Sequence, residues 1–207
     1  TDTTIKFKRN PYYWMVDPEG NQLPYIDDIE LEIISREVYK MKAMSKEIDI
    51  AGNHTALIDY PMYKENEAKG DYRTILVPGV RITDPTLAIN LTHPEPELRK
   101  IFQDRRFRIA LSHAINRDEI NEAVAFGEAS TLQSTIQPEA SFYKEEWGKM
   151  HQEYDPEKAK ALLDEMGLVD QTGNGYRDKF NGEEFTLTIE GVDVGHRLAV
   201  YEMIERY

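Results

Sequence analysis

Any chemistry in this chain has to come from carboxylates, histidines and amides, because its 207 residues include no cysteine and so no thiol nucleophile or disulfide. Five histidines, His54, His93, His113, His151 and His196, are scattered with no HxxxH or HExxH spacing. A zinc or nickel site needs three or four convergent ligands, so this pattern implies neither a bound metal nor any other cofactor. His113 lies between alanines of a helical stretch and reads as structural. The 38 acidic side chains leave room for a glycosidase pair, which is defined by distance in space and not along the chain. No G-x-S-x-G elbow, phosphate-binding loop or dinucleotide fingerprint accompanies them. An extracellular carbohydrate-active enzyme using a carboxylate pair therefore stands beside a binding protein as a reading of the same residues.

The run DQTGNGYRD at 170–178 places oxygen side chains at positions 1, 3, 5 and 9 and Gly175 at position 6, as at the start of an EF-hand calcium loop. Position 12 is Asn181, where such a loop has a bidentate glutamate. The other reading is an Asx- and Gly-rich turn, with Gly173 and Gly175 supplying positive φ. Tyr12, Tyr13 and Trp14 could stack a sugar or a side chain, although a triplet of this kind more commonly packs in a core or against a neighbouring lobe.

These residues are held by alternating elements. Ile5 and Phe7 start a strand; Ile29, Leu31 and Ile33 form a second, after a turn at 17–20. A helix is expected over 38–45, a brief strand at Ile48 and Ile50, a helix over 55–69 with Pro61 bending it or resetting its start, and strands over 72–77 and 85–90. That order is an α/β lobe. Pro94 and Pro96 break both helix and sheet and mark a boundary.

Helices dominate after it. Phe107, Ala110, Leu111, Ala114 and Ile115 share one helical face behind a cap at Asp104. Asn116 and Glu119 form a fresh capping box for a second helix that ends near Gly127. A helical stretch at 142–150 follows an extended segment at 131–138. Asp155, Pro156 and Gly167 then bound a helix whose buried stripe is Ala159, Leu162, Leu163 and Met166. Phe185, Leu187 and Ile189 alternate as a strand, and the last residues read as a helix cut in mid-run.

The formal charge is −13, with 25 basic side chains, which argues against a nucleic-acid partner. Arg105, Arg106 and Arg108 form one basic cluster, read as a solvated helix face. No run of about 18 apolar residues is present to span a membrane.

The wording of the central motif goes further than its periodicity. FQDRRFRIALSHAINRDEI at 102–120 resembles the D-x-R-[FV]-R-x-A-L-x-x-A-I-[DN]-R-x-x-I signature of family 5 extracellular solute-binding proteins, receptors of ABC importers for peptides and nickel. NPYYW at 10–14, PYIDDI at 24–29, KEIDI at 46–50, YDPEKAKALL at 154–163 and GNGYRD at 173–178 support the resemblance in the family's order.

The resemblance implies a periplasmic-binding-protein-like α/β fold (type II, cluster C) and an internal fragment, with residues 1–93 part of the base lobe and 94–207 the start of a mobile third lobe. It implies a non-catalytic receptor that closes on a peptide or similar small solute and delivers it to ABC permease subunits. Such a receptor is periplasmic or extracellular, held at the membrane only by an anchor outside this fragment. It also carries cleft contacts onto Asn53, His54, Arg81, Thr83 and Asn90. Lys46 stands where the family frequently has glycine.

Overall fold

The computed structural model describes residues 4–52, 55–77, 85–192 and 196–207. It divides into two units, Thr1–Ile75 and Leu76–Tyr207.

In the first unit β1 (Thr4–Lys8) pairs antiparallel with β2 (Asp28–Glu32), setting Ile5 against Leu31 and Phe7 against Ile29. Strand alternation puts these four on one face, and Lys6 and Glu30 form an ion pair on the other. The connection between the strands is organised by Asp17. Its carboxylate accepts from the backbone N–H of Glu19 (2.9 Å) and Asn21 (2.8 Å) and from the Tyr25 hydroxyl (2.6 Å). These bonds, that from Tyr25 foremost, pull its pKa down to about 2. Tyr12 and Trp14 are exposed on this connection and not packed in a core, because the loop satisfies its backbone internally and leaves the rings outside.

Helix α1 (Arg36–Met44), capped by Ser35, packs on α2 (Tyr60–Gly70). The two meet closely enough that a Cβ on Gly70 would collide with the Met44 carbonyl oxygen. Lys46 has φ +62°, the left-handed conformation glycine adopts most readily. The expected 55–69 helix begins instead at Tyr60 behind a 3₁₀ turn (Leu57–Asp59), since Pro61 fits only the first helical turn.

The second unit is built from α3 (Pro96–Gln103), α4 (Arg105–Ala114), α5 (Arg117–Ala125), α6 (Glu145–Lys149), α7 (Pro156–Met166) and α8 (Arg197–Glu205). Its core gathers Ile101, Phe102, Phe107, Met166 and Leu168. Phe107 sits between Phe102 (ring centroids 5.6 Å) and the edge-on ring of Phe185 (5.8 Å). The caps fall where the sequence puts them. Asp104 accepts from the Arg106 N–H, Asn116 from Glu119 and Asp155 from Lys158, and Gly167 closes α7 at φ +85°.

Among the described residues, the expected strands at 48–50, 72–77, 85–90 and 185–189 form no ladder. Their alternation is nonetheless expressed at 85–90 and 185–187, where Ile89, Phe185 and Leu187 turn onto the core. A strand requires a neighbour at hydrogen-bonding distance as well as a two-residue period. Near 185–189 the ladder is reduced to a single bridge, Asp178 with Glu184.

The basic residues of the central motif do more than solvate a helix. Arg108 donates to the Phe102 (2.8 Å) and Gln103 (3.0 Å) carbonyls at the end of α3. Arg106 donates to the Glu165 carbonyl (3.1 Å) at the end of α7. Arg117 reaches back to the Ser112 carbonyl (2.8 Å) of α4 and across to that of Gln152 (3.1 Å). The last carbonyls of a helix lack intrahelical partners and carry the negative end of its dipole, which a guanidinium satisfies on both counts. Ser112 completes the Arg117 knot: its hydroxyl accepts from Arg117 (2.9 Å) and Gln133 (2.6 Å) and donates to the His151 carbonyl (2.6 Å).

Helix α8 buries Val200 and Met203 and packs on α5. Beyond it, the Tyr207 hydroxyl donates to Glu119 (3.0 Å). Burial, followed by this bond to a carboxylate, pushes the Tyr207 pKa up to about 12.

Two predictions follow from these contacts. Arg117→Met leaves partly buried carbonyls without a donor and is expected to lower unfolding free energy by about 1–3 kcal/mol in urea titration, with Arg117→Lys in between because it restores the charge but not the fork. Ionisation of Tyr207 is opposed in the folded state but not in the unfolded one, whose pKa is about 10. Its contribution is therefore fully present below pH 10 and is lost as pH rises towards about 12. Tyr207→Phe is expected to flatten that part of the alkaline decline in melting temperature.

Candidate functional site

Four of the five residues expected to contact a solute, Asn53, His54, Arg81 and Thr83, lie outside the described residues. Asn90, the fifth, lies at the end of the extended run that places Ile89 on the core. Its side-chain oxygen accepts from the Thr92 N–H (3.1 Å) and hydroxyl (3.1 Å), and its own carbonyl accepts from the His93 N–H (3.3 Å). The resulting turn is anchored to α3 by Gln103, which donates to the Leu91 carbonyl (2.8 Å), and by Arg99, which donates to that of His93 (3.3 Å). The His93 ring meets Phe102 edge-on at 5.6 Å. Asn90 is exposed, and its carboxamide nitrogen has no acceptor among the described residues. The site therefore presents two amide N–H donors from a fixed turn, suited to a carbonyl or hydroxyl oxygen of a ligand.

The 170–178 segment resolves as the turn. N–H groups of Gly173 (2.6 Å), Asn174 (3.2 Å) and Gly175 (2.8 Å) converge on the Asp170 carboxylate. Those bonds, Gly175 first, lower its pKa. Gly173 at φ +75° and Gly175 at φ +91° make that convergence possible. Fully buried Asp178 accepts from Gln171 (2.7 Å) and Thr172 (3.1 Å) in the same manner. Among the described residues no group of three or more acidic or histidine side chains is arranged to hold a metal.

His113 is wholly buried, with Nδ1 3.0 Å from the Glu153 carbonyl and its ring edge-on to His151 at 5.7 Å. Nearby, Arg117, Asp118, Thr131, Lys149 and the 152–154 segment line a cavity of about 230 Å³. Its charges are largely matched locally. Lys149 pairs with Glu145 (2.5 Å) and Glu153 with Lys158 (2.9 Å), a bond that leads in drawing the Glu153 pKa down to about 2. The role of Arg117 as a donor to two carbonyls was not anticipated from the sequence. An arginine directly after a helix end and its asparagine cap is the signal that could have found it.

Comparison with known proteins adds what this geometry leaves open. A family model described as bacterial extracellular solute-binding proteins, family 5 Middle, matches residues 1–207. The periplasmic alpha-galactoside-binding protein of Rhizobium meliloti is 27% identical over 184 residues, 84% of this chain and 26% of its own length. The oligopeptide-binding protein OppA of Lactococcus lactis subsp. lactis is 26% identical over 189 residues, 89% of this chain and 30% of its own. A solved structure of an oligopeptide-binding protein OppA superposes with a TM-score of 0.71 at 39% identity, covering 88% of this chain and 30% of that one. The chain thus spans less than a third of these relatives' length, and it has the periplasmic-binding-protein-like fold. With the family model matched from its first residue to its last, the chain belongs to the family 5 bacterial extracellular solute-binding proteins.

Proposed function

We propose that the chain is part of the substrate-binding component of an ABC importer, which captures a peptide or similar small solute by lobe closure and hands it to permease subunits without catalysing a reaction. The family match over residues 1–207 carries this reading. In it, residues 1–93 belong to a base lobe and 94–207 open a mobile third lobe, a geometry in which hinge bending traps ligand. The whole protein acts outside the cytoplasm, tethered by an anchor beyond these residues. Asn53, His54, Arg81, Thr83 and Asn90 are assigned to solute recognition in this reading. Amide donors such as Asn90 recognise oxygen acceptors that peptide backbones and sugars share, which fits relatives named for oligopeptides and for alpha-galactosides.

The test is equilibrium titration of the full-length parent protein with a peptide pool and with alpha-galactoside oligosaccharides, the mixture being assayed for products. Saturable one-to-one binding with no product is expected; turnover of either ligand would refute the receptor reading. Asn90→Asp keeps the oxygen that holds Thr92 but removes both N–H donors. It is expected to weaken binding about three- to tenfold, the worth of one ordinary hydrogen bond, with the melting temperature unchanged.

A further inference from the structure

Asparagine is followed by glycine at Asn174-Gly175 and at Asn181-Gly182, both in the segment beyond α7. In such a pair the backbone can turn on its own side chain, because glycine has no Cβ to obstruct the approach. The glycine nitrogen loses its proton and bonds to the asparagine Cγ, the Cγ–Nδ2 bond breaks, and ammonia leaves behind a five-membered succinimide. Water then opens the ring at either carbonyl, giving aspartate or its β-linked isomer. Water is the one co-reactant, so the surroundings of the attacking nitrogen set the rate.

The two pairs share this chemistry but not their surroundings. At the first, a charge blocks the attacking atom: the Gly175 N–H donates to the Asp170 carboxylate (2.8 Å), as does that of Asn174 (3.2 Å). Removing the Gly175 proton would set a developing amide anion against a carboxylate at hydrogen-bond distance, and like charges disfavour that ionisation. The Asn174 side chain is held at both ends, its oxygen by the Tyr176 N–H (2.9 Å) and its nitrogen by Glu184 (3.1 Å). At the second, the Gly182 N–H donates to a neutral acceptor, the Lys179 carbonyl (2.9 Å). Asn181 is exposed, and its side-chain oxygen accepts from the Glu183 N–H (3.1 Å), which draws electron density away from the Cγ under attack. The Glu183 carboxylate, which the Asn181 amide also reaches, is itself paired with the Lys179 ammonium (2.8 Å).

We propose that Asn181 is a site of spontaneous deamidation in the folded protein, and that Asn174 is protected from it by Asp170. Each event at Asn181 adds one negative charge beside Glu183, and the β-linked product lengthens the backbone of the turn by one methylene. That turn carries Lys179, whose ammonium reaches Glu95 at the start of α3 (3.0 Å), so the modification acts on a link within the second unit. It is independent of which solute is bound.

Ageing the folded full-length parent protein at mildly alkaline pH, followed by peptide mapping in a mass spectrometer, tests it. Asn181 is expected to convert at least tenfold faster than Asn174, and the two at similar rates once the protein is unfolded in guanidinium chloride. Asp170→Asn keeps an oxygen for the Gly175 N–H but removes its charge. It is expected to speed conversion at Asn174 at least fivefold and to leave Asn181 unchanged. Equal rates in the folded protein, faster conversion at Asn174, or a ratio that survives unfolding would overturn the proposal. So would an Asn181 that stays intact while the unfolded protein converts, or an Asn174 rate that Asp170→Asn does not alter.

Discussion

The second unit depends on one electrostatic requirement: helix ends that meet inside a packed assembly must have their last carbonyls satisfied. Arg106, Arg108 and Arg117, drawn from a single 12-residue stretch, do this for α7, α3 and α4 respectively. Each guanidinium is directional, so it fixes the angle at which the chain leaves the helix as well as neutralising the dipole. The apolar partner of this arrangement is Phe107, on the same helix and facing the other way into the aromatic core. Spacing of one arginine on either side of a buried phenylalanine lets α4 join two helix ends to one core.

The Asn90 turn inherits its rigidity from that assembly. Ile89 is held by the core, Leu91 and His93 by side chains of α3, and α3 itself by Arg108. A binding donor benefits from being immobile before the ligand arrives, since the ordering entropy is then already spent in folding. The Asn90 side chain is thus held on a loop whose position is set by helices, and its role as a donor to solute is the one proposed for it. The Asp170 turn follows the same economy, with one carboxylate replacing the hydrogen bonds a short loop cannot make to itself.

Much of this was legible in the residues. Capping at Asp104, Asn116 and Asp155, the stop at Gly167 and the buried stripe of α4 are local matters of side-chain reach and helical period, and local rules suffice for them. The strands at 72–77 and 185–189 were not, because a ladder depends on a second segment that no single stretch specifies. Composition likewise left open whether Tyr12 and Trp14 stack on a ligand or pack against a surface, because an aromatic ring favours burial without specifying what covers it. The capping arginines were visible as residues but not as contacts. Of the residues expected to contact a solute, Asn90 alone falls within the described residues, and nothing in its spacing revealed that its side chain closes the turn at Thr92.

The most direct measurement of the central claim is a native mass spectrum of the full-length parent, purified from its host without denaturation. The account predicts a small solute bound at one per chain that is released when the protein unfolds, its mass that of a peptide or an oligosaccharide. A bare protein mass, unshifted by added peptide or oligosaccharide while either is cleaved in the same solution, would contradict it.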